Sequence, residues 1–247
     1  MVKTQKVLII AATSDIGKPI AESFARRGYE LYLTSTNVNM LHPFAESISK
    51  KFNVDVRDYQ FDISDYSIHA QFLKSLPEIP DVVVCCAGYY KDQEKAISDF
   101  GETYRTLSVN YVGVVSILNL ISIEFQKRKS GSIIVLSSVA GIRGRQMNFL
   151  YGSAKAGITT YLSGLRNRLF KDNVSVTTIL LGPVYTKMSE GHNLMPVLTA
   201  KPEVAAEKIV KAGLSKKGEV YILWYWKWVM FIIQLIPEFI FKRLKPF

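Results

Sequence analysis

The strongest constraint in this chain is an alternation. Short apolar runs rich in β-branched residues recur between longer stretches of helical character. The runs 7–12, 30–34, 54–61, 81–86, 132–136 and 174–180 read as strands, and a seventh is expected at 219–223. Helical stretches fall near 17–27, 38–51, 65–75, 102–128 and 149–170. Strands that are apolar on both faces must be covered on both faces, and strand–helix alternation does this with a parallel sheet. With right-handed crossovers the expected fold is a single α/β domain: a doubly wound parallel sheet of about seven strands with helices on both faces.

Composition narrows the function classes. The 247 residues are 48% hydrophobic, enough for a large core, and no repeat or long polar linker divides them. The two cysteines, Cys85 and Cys86, are adjacent, which does not suit a disulfide, and as residues at a strand end they read as small buried packing groups. His42, His69 and His192 lack metal-ligand spacing, so no metal is expected and a reducing, cytoplasmic location is. The start of the chain lacks the long apolar core and cleavage site of a signal peptide.

The net charge of +10 first suggests nucleic acid. Half of that excess lies in residues 201–247, which hold nine Lys/Arg against four Glu beside the most aromatic stretch. Basic plus aromatic plus aliphatic fits the surface of a membrane better than a DNA groove. Residues 224–247 therefore read as an amphipathic aromatic segment appended to a catalytic domain over 1–223. From 224 to 236 only Lys227 and Gln234 are distinctly polar before Pro237 interrupts. A helix of that length is about 20 Å long and does not span a bilayer. The expectation is a peripheral contact with the cytoplasmic membrane face, the competing occupant being another subunit.

Two segments carry chemistry. The first strand runs into Ala11-Ala12-Thr13-Ser14-Asp15-Ile16-Gly17 and then a helix, the position at which a Rossmann-like sheet holds a diphosphate. Only Gly17 is a glycine there, so an ordinary turn capped by Ser14 or Asp15 competes with the cofactor reading. Further on, Tyr151 and Lys155 stand four apart on one helical face. An ammonium beside a phenol is expected to lower the phenol's pKa from about 10 towards neutrality, making Tyr151 a proton donor or acceptor. Upstream, a strand ends in Ser137-Ser138 at the carboxyl edge of the sheet, where ligands of such sheets bind.

Taken together, Ser-Ser-Val-Ala-Gly at 137–141 and Tyr-Gly-Ser-Ala-Lys-Ala-Gly at 151–157 resemble the short-chain dehydrogenase/reductase family. So do Cys-Cys-Ala-Gly at 85–88, the asparagine of Ser-Val-Asn at 108–110, Asp62 after the third strand, and Leu-Gly-Pro-Val-Tyr-Thr at 181–186. The resemblance covers residues 5 to about 223. It implies that Tyr151 exchanges a proton with the substrate oxygen and that Ser138 hydrogen-bonds the same oxygen. Lys155 binds the nicotinamide ribose, and Asn110 holds a water in a relay from Lys155. It implies a cofactor site formed by Ala11, Thr13, Ser14, Asp15, Ile16, Gly17, Ser35, Thr36, Asn37, Asp62, Ile63, Cys86, Ala87, Gly88, Gly182, Pro183, Val184 and Thr186, with Asn110, Tyr151 and Lys155. It also implies a homodimer or homotetramer, and no nucleic-acid partner.

The second strand ends in Ser35-Thr36-Asn37, with no carboxylate to repel a 2′-phosphate, so NADP(H) is favoured and NAD(H) stays open. Arg143 and Arg145 bracket a glycine in the loop before Tyr151. They read either as a solvated loop or as an anion clamp for the substrate. That loop, the first turn and the aromatic tail are similar to a subgroup that reduces polyprenyl-phosphoryl keto-sugars such as decaprenylphosphoryl-2-keto-erythro-pentose. The expected substrate is a lipophilic or lipid-linked ketone. A 3-oxoacyl- or steroid-type ketone reductase and a non-catalytic nucleotide-binding scaffold are the alternatives.

Overall fold

A computed structural model describes residues 4–191 and 195–244; His192 and residues 245–247 of the tail lie outside them. Seven parallel strands form one sheet: β1 (Lys6–Ile10), β2 (Glu30–Ser35), β3 (Val56–Gln60), β4 (Val82–Cys85), β5 (Gly131–Ser138), β6 (Val174–Leu181) and β7 (Glu219–Tyr221). Their order is β3-β2-β1-β4-β5-β6-β7. The chain reverses its direction of travel between β1 and β4, which leaves a crevice at the carboxyl edge of the sheet. This is the doubly wound, Rossmann-like α/β fold that the alternation predicts.

The period of two along each strand sorts side chains into two cores. Val7 and Ile9 face one side, with α1 (Gly17–Ala25), α2 (Val38–Phe52) and α8 (Pro202–Leu214). Leu8 and Ile10 face the other, with α3 (His69–Ser75), α6 (Gly113–Arg128) and α7 (Phe149–Leu169). Cys85 and Cys86 are free and buried, and burial pushes Cys85 up to about 11, so they are inert packing groups.

Two helices lie outside the periodicity reading, α4 (Gln93–Ser98) and α8. The second opens on Pro202, a helix-start signal legible in the sequence. The stretch expected as one helix over 102–128 is a continuous run, Phe100–Arg128, built of α5 (Phe100–Leu107), a π turn (Ser108–Val112) and α6. It is long and apolar enough to cross a membrane, but half of its apolar window is buried in the fold. Its hydropathy is that of a core helix.

The tail helix α9 (Tyr225–Leu235) packs back onto the domain. Trp226 and Met230 are buried with Val139 against Ile142, Leu198 and Tyr221. A last short helix, α10 (Glu238–Phe241), follows Pro237.

Candidate active site

Ser138 is the last residue of β5, and Tyr151 and Lys155 lie in the first two turns of α7. The neighbouring Ser137 fastens the two elements together: its hydroxyl donates to the Lys155 carbonyl at 3.1 Å and pairs with Thr159 Oγ1 at 2.7 Å. Ser138 and Tyr151 therefore share a 250 Å³ cavity at the carboxyl edge of the sheet. The Ser138 hydroxyl accepts from the Ala140 N–H at 3.1 Å and makes only a long contact, 3.3 Å, to the Leu181 carbonyl. It is easily turned towards a bound ligand.

The electrostatics of the pair differ from the sequence expectation. Burial pushes the Tyr151 phenol up to about 12, opposed by its contact with Ser138 and reinforced by Tyr90, whose ring meets it edge-on at 5.5 Å. Burial likewise brings Lys155 down to about 8. The ammonium is engaged by the backbone: Nζ donates to the Leu136 carbonyl at 3.0 Å and lies 5.6 Å from the Tyr151 ring centre. Desolvation of the phenol therefore outweighs the helical neighbour, and Tyr151 is held protonated rather than poised near neutrality.

Asn110 sits in the π turn, fully buried. Its amide donates to the carbonyls of Tyr89 (2.6 Å) and Thr106 (2.8 Å), and its oxygen accepts from the Tyr89 N–H at 3.2 Å. Its side chain thus ties the loop after β4 to the π turn.

A second cavity, of 350 Å³, lies across β1 and is lined by Ala11, Thr13, Ser14, Ser35, Thr36, Asp62, Ile63, Ala87 and Gly88. Ile16, Gly182, Pro183, Val184 and Thr186 line the catalytic cavity. The two flank the strand reversal as the two halves of a dinucleotide require. The cradle fits: a Cβ on Gly17 would meet the Ala11 carbonyl oxygen at 2.5 Å, so α1 starts hard against β1, and Ala11 adopts the left-handed φ of 62° usual for glycine. Ser14 Oγ accepts from the Gly17 N–H at 3.0 Å, although the capping position of α1 is Ile16, which has no side-chain cap. Asp15 turns away from this turn and accepts from the Lys187 N–H at 2.7 Å, so its carboxylate does not oppose a diphosphate.

Not every expected residue reaches a cavity. Cys86 is buried in the core behind Ala87. Asn37 caps α2 through the Met40 N–H, and the Ser35 hydroxyl is held by Thr13 at 2.7 Å. Thr36 is left as the freest hydroxyl at the end of β2, and Arg105, stacked 4.4 Å over Tyr89, lines the same cavity.

The two loop arginines part company. Arg143 is no substrate clamp: its guanidinium donates to the carbonyls of Ile233 and Ile236, pairs with Glu238 at 3.1 Å and covers Phe241 at 3.7 Å. It caps the carbonyl end of α9, where a helix leaves its last acceptors unpaired and its dipole favours a cation. Arg145 alone of the two lines the catalytic cavity, with Asn148, Tyr90, Met188 and Trp226. Sequence reasoning did not place Tyr90, Asn148, Trp226 or Arg105 in the site. Tyr90 stands two residues after the strand-four glycine, a signal that was there to be read. Trp226 was assigned to a separate tail.

Comparison with known proteins agrees with this fold. A family model described as short chain dehydrogenase matches residues 5–196. An uncharacterized oxidoreductase of Mycobacterium tuberculosis is 30% identical over 241 residues, 96% of each chain. A short-chain dehydrogenase from Sphingobium yanoikuyae in complex with NADPH superposes with a TM-score of 0.82 at 19% identity, over 98% of this chain and 96% of its own. A 3-oxoacyl-[acyl-carrier protein] reductase from Brucella melitensis with bound NAD does so with a TM-score of 0.78 at 21% identity, over 89% and 90%.

Proposed function

Because this chain belongs to the short-chain dehydrogenase/reductase family and is an oxidoreductase acting with NAD(P), we propose that it reduces a lipophilic or lipid-linked ketone with NADPH at Tyr151. One observation carries the reading. The cavity holding Tyr151 and Ser138 is walled by Trp226, on a helix whose outer face is a continuous apolar stripe. That stripe is Trp224, Trp228, Phe231, Ile232 and Leu235, all exposed at helical spacing, with Lys227, Lys242 and Arg243 exposed nearby. Aromatic residues favour the headgroup layer and cations favour anionic lipid. At 11 residues α9 is about 16 Å long and lies on a bilayer rather than across it. A peripheral enzyme at the cytoplasmic membrane face meets its substrate there.

The nicotinamide cofactor supplies the hydride when bound. Tyr151, protonated over the working pH range, donates its proton to the carbonyl oxygen, and Ser138 donates a hydrogen bond to the same oxygen. Lys155 would hold the nicotinamide ribose of that cofactor. NADPH is preferred because no carboxylate stands at the end of β2 and Arg105 adds positive charge to the cavity of Thr36. Val112, Ile123 and Phe170, exposed on the Phe100–Arg128 and α7 side of the molecule, support a homo-oligomer.

The test is oxidation of NADPH by the full-length protein against a panel of ketones and lipid extracts. Tyr151→Phe should abolish turnover, a loss of at least about a hundredfold, while cofactor fluorescence still reports binding. Normal turnover in that variant would overturn the assignment. NADPH should exceed NADH in kcat/KM by about tenfold, or 1.4 kcal/mol; the reverse preference would sink the role of Arg105.

A further inference from the structure

Arg145 is a charged side chain in a place where charge is costly. It belongs to the loop between β5 and α7 and lines the catalytic cavity with Tyr151 and Ser138. Its Nε is sealed from solvent and has no hydrogen-bond partner, and among the described residues no carboxylate pairs with its guanidinium. Burial draws its pKa down, with Tyr90 the one neighbour opposing that shift. Arg143, two residues earlier, shows the contrast: both terminal nitrogens of its guanidinium are used by the tail. A donor withdrawn from water without a partner is costly unless a ligand compensates it.

Asn148 stands beside it in the same condition. It precedes α7 at the capping position, yet its side chain caps nothing. The Leu150 N–H is taken instead by Gln93 Oε1 at 3.2 Å. Asn148 Oδ1 is buried, unpartnered and on the wall of the same cavity. An unmatched donor nitrogen and an unmatched acceptor oxygen belong to two side chains that line one space.

We propose that Arg145 and Asn148 form an anion-binding subsite beside Tyr151, and that the ketone reduced here carries a carboxylate or phosphate together with a hydroxyl group. The inference rests on the reading of Tyr151 as proton donor and narrows its substrate class. A cavity of 250 Å³ is about 8 Å across, so the anion lies only a few bonds from the reacting carbonyl. The guanidinium fork takes the anionic oxygens in a bidentate pair, and Asn148 accepts from the hydroxyl.

The test pairs charged and neutral probes on the full-length protein with NADPH: dihydroxyacetone phosphate against dihydroxyacetone, and acetoacetate against its methyl ester. Which pair shows the larger preference tells phosphate from carboxylate. The wild type should favour the charged member about tenfold or more in kcat/KM, through KM. Arg145→Gln should erase that preference, and Arg145→Lys should restore part of it. An equal charged-to-neutral ratio in wild type and Arg145→Gln overturns the subsite while leaving the reductase reading intact. Thermal shift of the NADPH-saturated protein by inorganic phosphate and by acetate gives a readout independent of turnover. A shift in wild type that is lost in Arg145→Gln, with no probe reduced, keeps the subsite and removes the ketone reading. The same shift in both proteins overturns the subsite.

Discussion

At Lys155 burial and charge pull in opposite directions, and the sign of the result can be measured. Its pKa falls from 10.5 to about 8, so folding favours the neutral amine. Between those values the unfolded chain binds more protons than the folded one, and the contribution of this group to stability rises with pH from about 8 to 10.5. Below pH 8 the buried ammonium costs about 3 kcal/mol. Lys155→Met should therefore be more stable than wild type at pH 7 by up to about that amount, and the difference should fade by pH 10.5 in urea titrations. A difference that does not change with pH would show that the charge of Lys155 is not the penalised property. The same variant should lose turnover, since a side chain kept at this cost to folding is retained for function.

Helix α9 is joined to the catalytic machinery by close contact rather than by a hinge. A Cβ on Gly182 would meet Trp226 Nε1 at 2.2 Å, and the indole donates to the Leu198 carbonyl at 3.1 Å. Gly182→Ala should thus displace Trp226 and destabilise the protein by about 1–3 kcal/mol. All three tryptophans lie in 224–228, so selectively excited tryptophan fluorescence reports this segment alone. The expected signature is a red shift of emission as Trp226 meets water, and an unaltered spectrum would mean the helix is not packed on the cavity wall. Arg143 holds the other end of α9, so Arg143→Ala should make the segment around Lys227 sensitive to trypsin while the sheet stays intact.

For the whole molecule, membrane docking has to be tested without dismantling the fold. Removing everything after Leu223 would strip Trp226 and Met230 from Val139 and open the catalytic cavity, so truncation confounds docking with damage. Replacing the outward stripe instead, Trp228→Ser with Phe231→Ser and Leu235→Ser, touches residues that are more than half exposed. The full-length protein should co-float with vesicles containing anionic lipid, and the triple variant should not, at an unchanged melting temperature. Equal flotation of both proteins, or of neither, would remove the membrane reading and leave the stripe to a second subunit.

The sequence by itself determined the sheet and its parallel sense, and it put Tyr151 and Lys155 on one helical face. The reason is that these are local properties. Apolar runs such as 7–12 and 174–180 declare a strand buried on both faces, and Tyr151 and Lys155 share a face by the pitch of the helix alone. What only the tertiary structure decided were quantities that depend on neighbours distant in the chain. The phenol of Tyr151 is raised rather than lowered because burial removes its water and Tyr90 adds to the shift, which no four-residue spacing records. Arg143 and Arg145, equivalent on paper, separate because the tail, about 90 residues later, returns to claim the first and leaves the second facing the catalytic cavity. The tail divides in the same way: its apolar residues are evident in the sequence, but helical rotation against Val139 and Leu198 sends Trp226 inward and Trp228 outward. Composition states how much apolar surface a segment carries, and packing alone assigns each part of it to the core, the substrate or the outside.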